Sequence, residues 1–456
     1  MRPVYAAAFA AVVGTPAALL CAVAPLMAQT APGRLTLEEA LRIARSSNPD
    51  FLRTANDQEV AESAVRSAWG AFLPSLSTSM AFSGSRSTTL TSEDFFGDPI
   101  ESPEPVTSSR SSASQGISTQ VTLFDGGTTL RNLQARRAAS TGVDAQIEGQ
   151  AVQLEARVSR EYFQAVRAER NIALEEYLLA SARDRLERTE QLMRLAARNR
   201  EDVLGARSDV AQAEQNVARA RGDADKTRLT LAATLGMQPT TSISVDTVLP
   251  RVFDPADLDV DALVAGALAR SPLVRQRDAA LRAARHSASA ARGRRLPSIS
   301  ADARYSRGSS ASGYSAFGEL NPHQNYGFSF GVGVSLPLFS RFQTSDVIAQ
   351  ASAAAVDAQH DLRTAQLTVE RDVRSAIIDL DNAYRSLQLA REQVELNRER
   401  QELTHERYRL GGSDFTTLQN VIDRTAQAER QALEALFGFI DARISLEEKL
   451  GHRLED

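Results

Sequence analysis

Along residues 326–336 the chain alternates strictly, with Tyr326, Phe328, Phe330, Val332, Val334 and Leu336 interleaved by Gly327, Ser329, Gly331, Gly333 and Ser335. A period of two predicts a strand with one aromatic and aliphatic face and one small, polar face. Three further segments follow the same rule. Leu76, Thr78, Met80 and Phe82 alternate with serines. Ile117, Thr119, Val121 and Leu123 alternate with Ser118, Gln120 and Thr122. Ile299, Ala301, Ala303 and Tyr305 alternate with Ser298, Ser300, Asp302 and Arg304. Strands of about ten residues with this pattern suit a transmembrane barrel with a polar lumen, although a soluble sandwich would alternate in the same way. If the strands cross a membrane, four cannot close on themselves. Lipid does not tolerate open sheet edges, and known barrels begin at about eight strands, so the chain would have to oligomerise.

Elsewhere the period changes to that of a helix. From Gly126 to about Ala197 and from Arg341 to about Leu410 there is no proline, and alanine, arginine, glutamate and leucine dominate. Val369, Val373, Ile377, Leu380, Tyr384 and Leu387 recur at steps of three and four, as a heptad-like seam does. Each long helix would extend roughly 105 Å at 1.5 Å per residue. The returning helices, about 201–235 and about 49–73, nearly match that length when stacked end to end. Thr36 with Glu39 reads as a capping box, and Asn48-Pro49 and Ser271-Pro272 each place a cap before a first-turn proline.

The two halves repeat each other. Pro49 and Leu73-Pro74-Ser75 recur 223 residues later as Pro272 and Leu296-Pro297-Ser298. Leu123-Phe124 and Leu235-Gly236 recur 215 residues later as Leu338-Phe339 and Leu450-Gly451. One change of offset, falling in the Ser/Gly/Pro-rich loop, means a single indel inside a duplicated unit. The expected layout is a leader at 1–28, a first repeat at 29–236 (hairpin about 73–124, tip about 196–202), an equatorial linker at 237–257 and a second repeat at 258–456 (hairpin about 296–339, tip about 410–415). The expected fold class is mainly α with a small β part: a long antiparallel coiled-coil assembly of helices plus four strands per protomer.

Composition narrows the function. A net charge of −5 over 456 residues argues against a nucleic-acid partner. Val4 to Ala28 is uncharged, follows Arg2 and ends in small residues, as a secretory leader does. A signal peptide is favoured over a retained anchor helix, and because the single cysteine, Cys21, is preceded by Ala18-Leu19-Leu20 rather than by small residues throughout, lipidation there is not favoured. No second apolar run reaches the ~18 residues that a membrane helix needs. His286, His323, His360, His405 and His452 are scattered without metal-ligand spacing, and Gly331-Val332-Gly333 lacks the third glycine and helix of a dinucleotide site. No catalytic arrangement, cofactor or metal is expected.

With these elements in place, the chain resembles the TolC-like outer-membrane efflux and secretion channels over essentially everything after the leader. The resemblance is carried by Leu123-Phe124-Asp125-Gly126-Gly127 and its echo Leu336-Pro337-Leu338-Phe339-Ser340, where strand passes to helix. It is carried equally by Asp202-Val203-Leu204 with Ala206, and by Tyr408-Arg409-Leu410-Gly411-Gly412 with Phe415-Thr416-Thr417-Leu418. It implies a homotrimer with a 12-stranded barrel in the outer membrane of a Gram-negative-type cell, continuous with a helical periplasmic tunnel. The implied partners are a periplasmic adaptor, an inner-membrane efflux transporter or ABC exporter, and outer-membrane lipid against Tyr326, Phe328, Phe330, Val332 and Val334. By the resemblance, Asp202 and Tyr408 match positions used to close the tip, beside Gly411, Gly412 and Ser413; on elementary grounds Tyr408 would simply pack between helices and Asp202 favour a helix N-terminus. Ser413 stands where some members have arginine, and Thr417 and Asn420 stand where others place acidic residues. The implied role is the duct of a tripartite efflux pump, or the outer component of a type I secretion system. A non-conducting periplasmic coiled-coil scaffold is the reading from another class, and it leaves the apolar face of 326–336 without a partner.

Overall fold

The structure, a computed structural model, describes residues 34–90, 105–195, 199–239, 243–313, 325–410 and 412–454. The expected leader with Cys21, the hairpin loops, Gly411 and residues 196–198 of the first tip lie outside the described residues. In chain order the elements are α1 (Leu37–Ser47), α2 (Pro49–Ala55), α3 (Asp57–Gly70), β1 (Ser75–Leu90), β2 (Pro105–Asp125), α4 (Thr128–Arg194) and α5 (Arg200–Thr234). A short 3-10 turn at Pro255–Asp257 leads into α6 (Val260–Arg270), α7 (Pro272–Gly293), β3 (Ser298–Ser312), β4 (Tyr326–Ser335), α8 (Gln343–Arg409) and α9 (Phe415–Leu450).

The duplication is written into the element boundaries. Helices α4 and α8 are both 67 residues long, about 100 Å each at 1.5 Å per residue. They begin and end 215 residues apart, while α2 with α3 and α7 begin and end 223 apart. The caps expected from sequence form. Thr36 and Glu39 make a reciprocal capping box, Asn48 Oδ1 accepts the Phe51 N–H, and Ser271 Oγ accepts that of Val274. One difference separates the repeats. The expected continuous helix from Pro49 to about 73 is interrupted at Asn56, where the backbone stays helical (φ −66°, ψ −20°) but the ladder breaks. The matching position in α7 is Ala279, and α7 runs unbroken for 22 residues. Asparagine has a lower helix propensity than alanine, the best helix former.

The four strands form one antiparallel sheet in the order β1-β2-β3-β4, leaving β1 and β4 as its edges. The core lies at the equator, in two clusters joined through α9. Phe437, Ile440 and Ile444 pack with Leu154, Tyr162, Val166 and Leu231, whereas Phe439, Leu446 and Leu450 pack with Val373, Leu380 and Leu387. Of the seam read from the sequence, Val369, Val373, Ile377, Leu380 and Leu387 are buried, and Tyr384 packs against the same cluster. The linker is tied down by Tyr162. Leu35 bridges Val245 in parallel, and the Tyr162 hydroxyl donates to the carbonyls of Leu35 (3.0 Å) and Asp246 (2.9 Å).

Candidate functional site

Three places gather the residues singled out from the sequence: the sheet, the joint from strand to helix, and the helical tips. In the sheet, register places Phe330 opposite Ala303, Ala303 opposite Thr119, and Thr119 opposite Leu76. One rung on, Phe328, Tyr305, Ile117 and Thr78 line up. A residue and its direct cross-strand partners share a face, so the apolar positions of the four strands fall on one side up to Val121; beyond it the register shifts and Phe124, not Leu123, pairs with Ile299. That side is bare: Tyr326, Phe328, Phe330, Val332 and Val334 are each at least 66% exposed, and Leu76, Met80 and Ile117 are exposed with them. The other face carries Ser77, Ser118, Arg304 and Ser329, and Ser77 and Ser118 hydrogen-bond across it at 2.8 Å. The rung of Met80, Gln115, Arg307 and Tyr326 carries polar groups into that face, and Phe82 opposite Ala113 continues it beyond. In that rung Arg307 donates to Gln115 Oε1 from Nε (2.9 Å) and Nη2 (2.6 Å). No helix among the described residues is long and apolar enough to cross a membrane.

At the joint the two repeats use one design with different residues. Asp125 Oδ2 accepts the Thr129 N–H at 2.7 Å, and Ser340 Oγ accepts the Thr344 N–H at 3.2 Å, so each side chain caps the long helix that follows. Between cap and helix, two residues turn left-handed. They are Gly126 (φ 70°) and Gly127 (φ 80°) in the first repeat, but Arg341 (φ 51°) and Phe342 (φ 65°) in the second. Gly126 is pressed against the end of α7: a Cβ there would lie 2.2 Å from the Gly293 carbonyl oxygen. Phe339 and Phe342 meet edge to face with centroids 5.8 Å apart, and both are about three-quarters exposed.

At the far end, Asp202 lies in the first turn of α5 and Tyr408 in the last turn of α8. The Tyr408 ring faces Phe415 (centroids 6.5 Å apart), and Phe415 in turn lies against Gly205, where a Cβ would stand 3.4 Å away. The two tips thus meet through Tyr408, Phe415 and Gly205. The Gly412 N–H donates to the Arg407 carbonyl at 2.8 Å, closing the α8 terminus. Ser413 is half-buried in that turn, and Asp414 caps α9 by accepting the Thr417 N–H at 2.6 Å. This bond holds the Asp414 carboxyl below its ordinary value.

One cluster near the tips carries no sequence motif. Arg185 of α4 faces Asp209 of α5 and Asp423 of α9, and Gln419 donates to Asp209 at 2.7 Å. Burial lowers the Arg185 pKa against the pull of both aspartates. Burial also raises that of Asp209, with Arg185 opposing and Asp423 reinforcing. Asp423 lies more than two hundred residues beyond Arg185 and Asp209 in sequence, so only the packing of the two hairpins brings the three charges together.

Two long helices of equal length, a duplicated unit and a four-stranded sheet with one exposed apolar face make up the protomer. The chain belongs to the outer membrane efflux protein family, whose model matches residues 40–237 and 263–452, one segment in each repeat. Solved structures share its fold over nearly the whole length. CusC, described in terms of folding and transmembrane channel formation, has 17% identity and a TM-score of 0.75, covering 91% of this chain and 92% of its own. The CmeC outer membrane channel of Campylobacter jejuni has 15% identity and a TM-score of 0.73, with coverages of 92% and 87%. The open-state MtrE outer membrane channel of Neisseria gonorrhoeae has 19% identity and a TM-score of 0.70, with coverages of 91% and 89%. No curated protein matches the chain in sequence.

Proposed function

We propose that this chain is the outer-membrane channel of a tripartite efflux pump, conducting solutes received from an inner-membrane transporter and a periplasmic adaptor to the exterior. The observation that carries the reading is the sheet: apolar on one face, small and polar on the other, with both edges open. Water disfavours that apolar face and lipid disfavours those edges. Three copies, each giving four strands, satisfy both conditions as a closed ring of twelve. Tyr326, Phe328, Phe330, Val332 and Val334 then face lipid, and the serine-rich face lines the lumen. Residues 1–28 act as the export leader, 237–257 as the equatorial linker between repeats, and the tips close the periplasmic end. Asp202 and Tyr408, from different hairpins, are the groups through which neighbouring tips hold one another, with Gly411, Gly412 and Ser413 shaping the turn. The wall offers a duct rather than a catalytic pocket, and the pump selects the substrate.

The test is the mass of the detergent-extracted mature protein together with its conductance in planar bilayers. A trimer of low conductance is expected, rising when Tyr408→Phe is combined with Asp202→Ala. Unchanged conductance in the double variant would remove these two residues from the gate. A water-soluble monomer without conductance would overturn the channel.

A further inference from the structure

Because the chain is a duplication, a joint made inside it describes a joint it leaves unmade. Helix α7 of the second repeat packs against α4 of the first. Gln276 Nε2 donates to Gln146 Oε1 at 3.2 Å, Thr128 Oγ1 donates to the Ala290 carbonyl at 3.2 Å, and Gly126 abuts Gly293. The counterpart would set α2 and α3 of the first repeat against the start of α8. Among the described residues that joint is not made within one chain to any comparable extent. Helices α2 and α3 bury no residue, and α8 buries none before Ala365, whereas α4 buries Leu133 and Ala135 in its second turn.

The residues that would meet there follow from the constant offsets of 223 and 215 between matching elements. Gln276 becomes Arg53 and Gln146 becomes Asp361, so a neutral amide pair is replaced by opposite charges. Both side chains are exposed, and among the described residues neither has an ion-pair partner. Gly293 becomes Gly70, where an added Cβ would meet nothing within 4 Å. Gly126 and Gly127 become Arg341 and Phe342. These two keep the left-handed turn at a cost of about 1–2 kcal/mol for each side chain. Strained backbone persists where surrounding structure holds it.

We infer that a second copy of this chain docks its α2–α3 segment on the start of α8, with Arg53 of one protomer paired to Asp361 of the next and Gly70 seated against the Arg341-Phe342 turn. The inference rests on the trimeric assembly proposed above and specifies its helical interface. The neutral pair stays inside the chain and the charged pair lies between chains. Opposite charges at that place favour head-to-tail closure and penalise a reversed contact that would bring like charges together.

The experiment places cysteines at Arg53 and Asp361 of the full-length protein in its native membrane, where the described chain has no cysteine of its own, and adds a short bifunctional thiol reagent. Expected are covalent dimers and trimers, while the control pair at Gln146 and Gln276 cross-links only within a chain. Arg53→Asp or Asp361→Arg alone should lower the trimer fraction roughly two- to fivefold per interface, the range of an exposed ion pair, and the double reversal should restore it. Gly70→Ala should leave the monomer's helical content unchanged and weaken only the trimer. A trimer by mass without cross-linking at Arg53 and Asp361, or without rescue by the double reversal, overturns this interface and leaves the assembly standing. A monomer by mass overturns the assembly itself.

Discussion

Adding one methyl group at Gly126 and, separately, at Gly127 separates two costs that both glycines avoid. Each residue has positive φ, 70° and 80° respectively, so alanine at either position incurs the left-handed penalty of about 1–2 kcal/mol. Beyond that the environments diverge. At Gly127 an added Cβ meets nothing within 4 Å. At Gly126 it would stand 2.2 Å from the Gly293 carbonyl oxygen and 2.9 Å from Leu296 Cβ. The obstructing atom is backbone at the end of α7, so relief requires α7 to move away from α4, and overpacking of this kind adds typically 1–3 kcal/mol. Gly127→Ala is therefore expected to cost about 1–2 kcal/mol and Gly126→Ala about 2–5 kcal/mol. The assay is denaturant-induced loss of far-ultraviolet circular dichroism in detergent, with outer-membrane yield measured in parallel. Equal losses for the two variants would refute the claim that contact between the repeats, rather than backbone geometry alone, demands glycine at 126.

Two further outcomes follow from the equator and the sheet. Burial, reinforced by the Asp246 charge, pushes the Tyr162 phenol from its ordinary 10.0 to about 12. A raised pKa means that the protonated form is favoured in the folded state. Its contribution is therefore fully present below pH about 10 and lost as pH rises toward about 12. Tyr162→Phe should cost about 1 kcal/mol at neutral pH, and the stability gap to wild type in thermal unfolding should close across that alkaline window; a gap of constant size would contradict the assignment. Phe330→Arg places a charge on the bare apolar face and should cost about 2–4 kcal/mol in the membrane, read as lost outer-membrane integration. Ser329→Arg, on the opposite face, should integrate normally, and equal behaviour of the two would remove the lipid-facing role of this strand.

How much of this could be read from residue order depends on how far apart the cooperating residues lie. The alternation from Tyr326 to Leu336 and the seam from Val369 to Leu387 are local patterns, and local patterns dictate element type and buried face. The duplication was legible for a related reason: two offsets, 223 and 215, hold at element after element, so the mainly helical fold with four strands emerges without any long-range contact being known. Features that depend on two distant segments meeting leave no such trace. Arg185, Asp209 and Asp423 are ordinary charges in sequence and form one cluster, with Arg185 and Asp209 half-buried, only because α4, α5 and α9 converge. Tyr162 looks like any aromatic on a helix until Leu35 and Asp246 present their carbonyls to it. The joint is the instructive intermediate case. Gly126-Gly127 announces a left-handed turn, yet Arg341-Phe342 adopts the same turn with residues that oppose it. No propensity scale would place a positive φ at phenylalanine. The duplication does, because a geometry required once in a repeated unit is required again, whichever residues have come to occupy it.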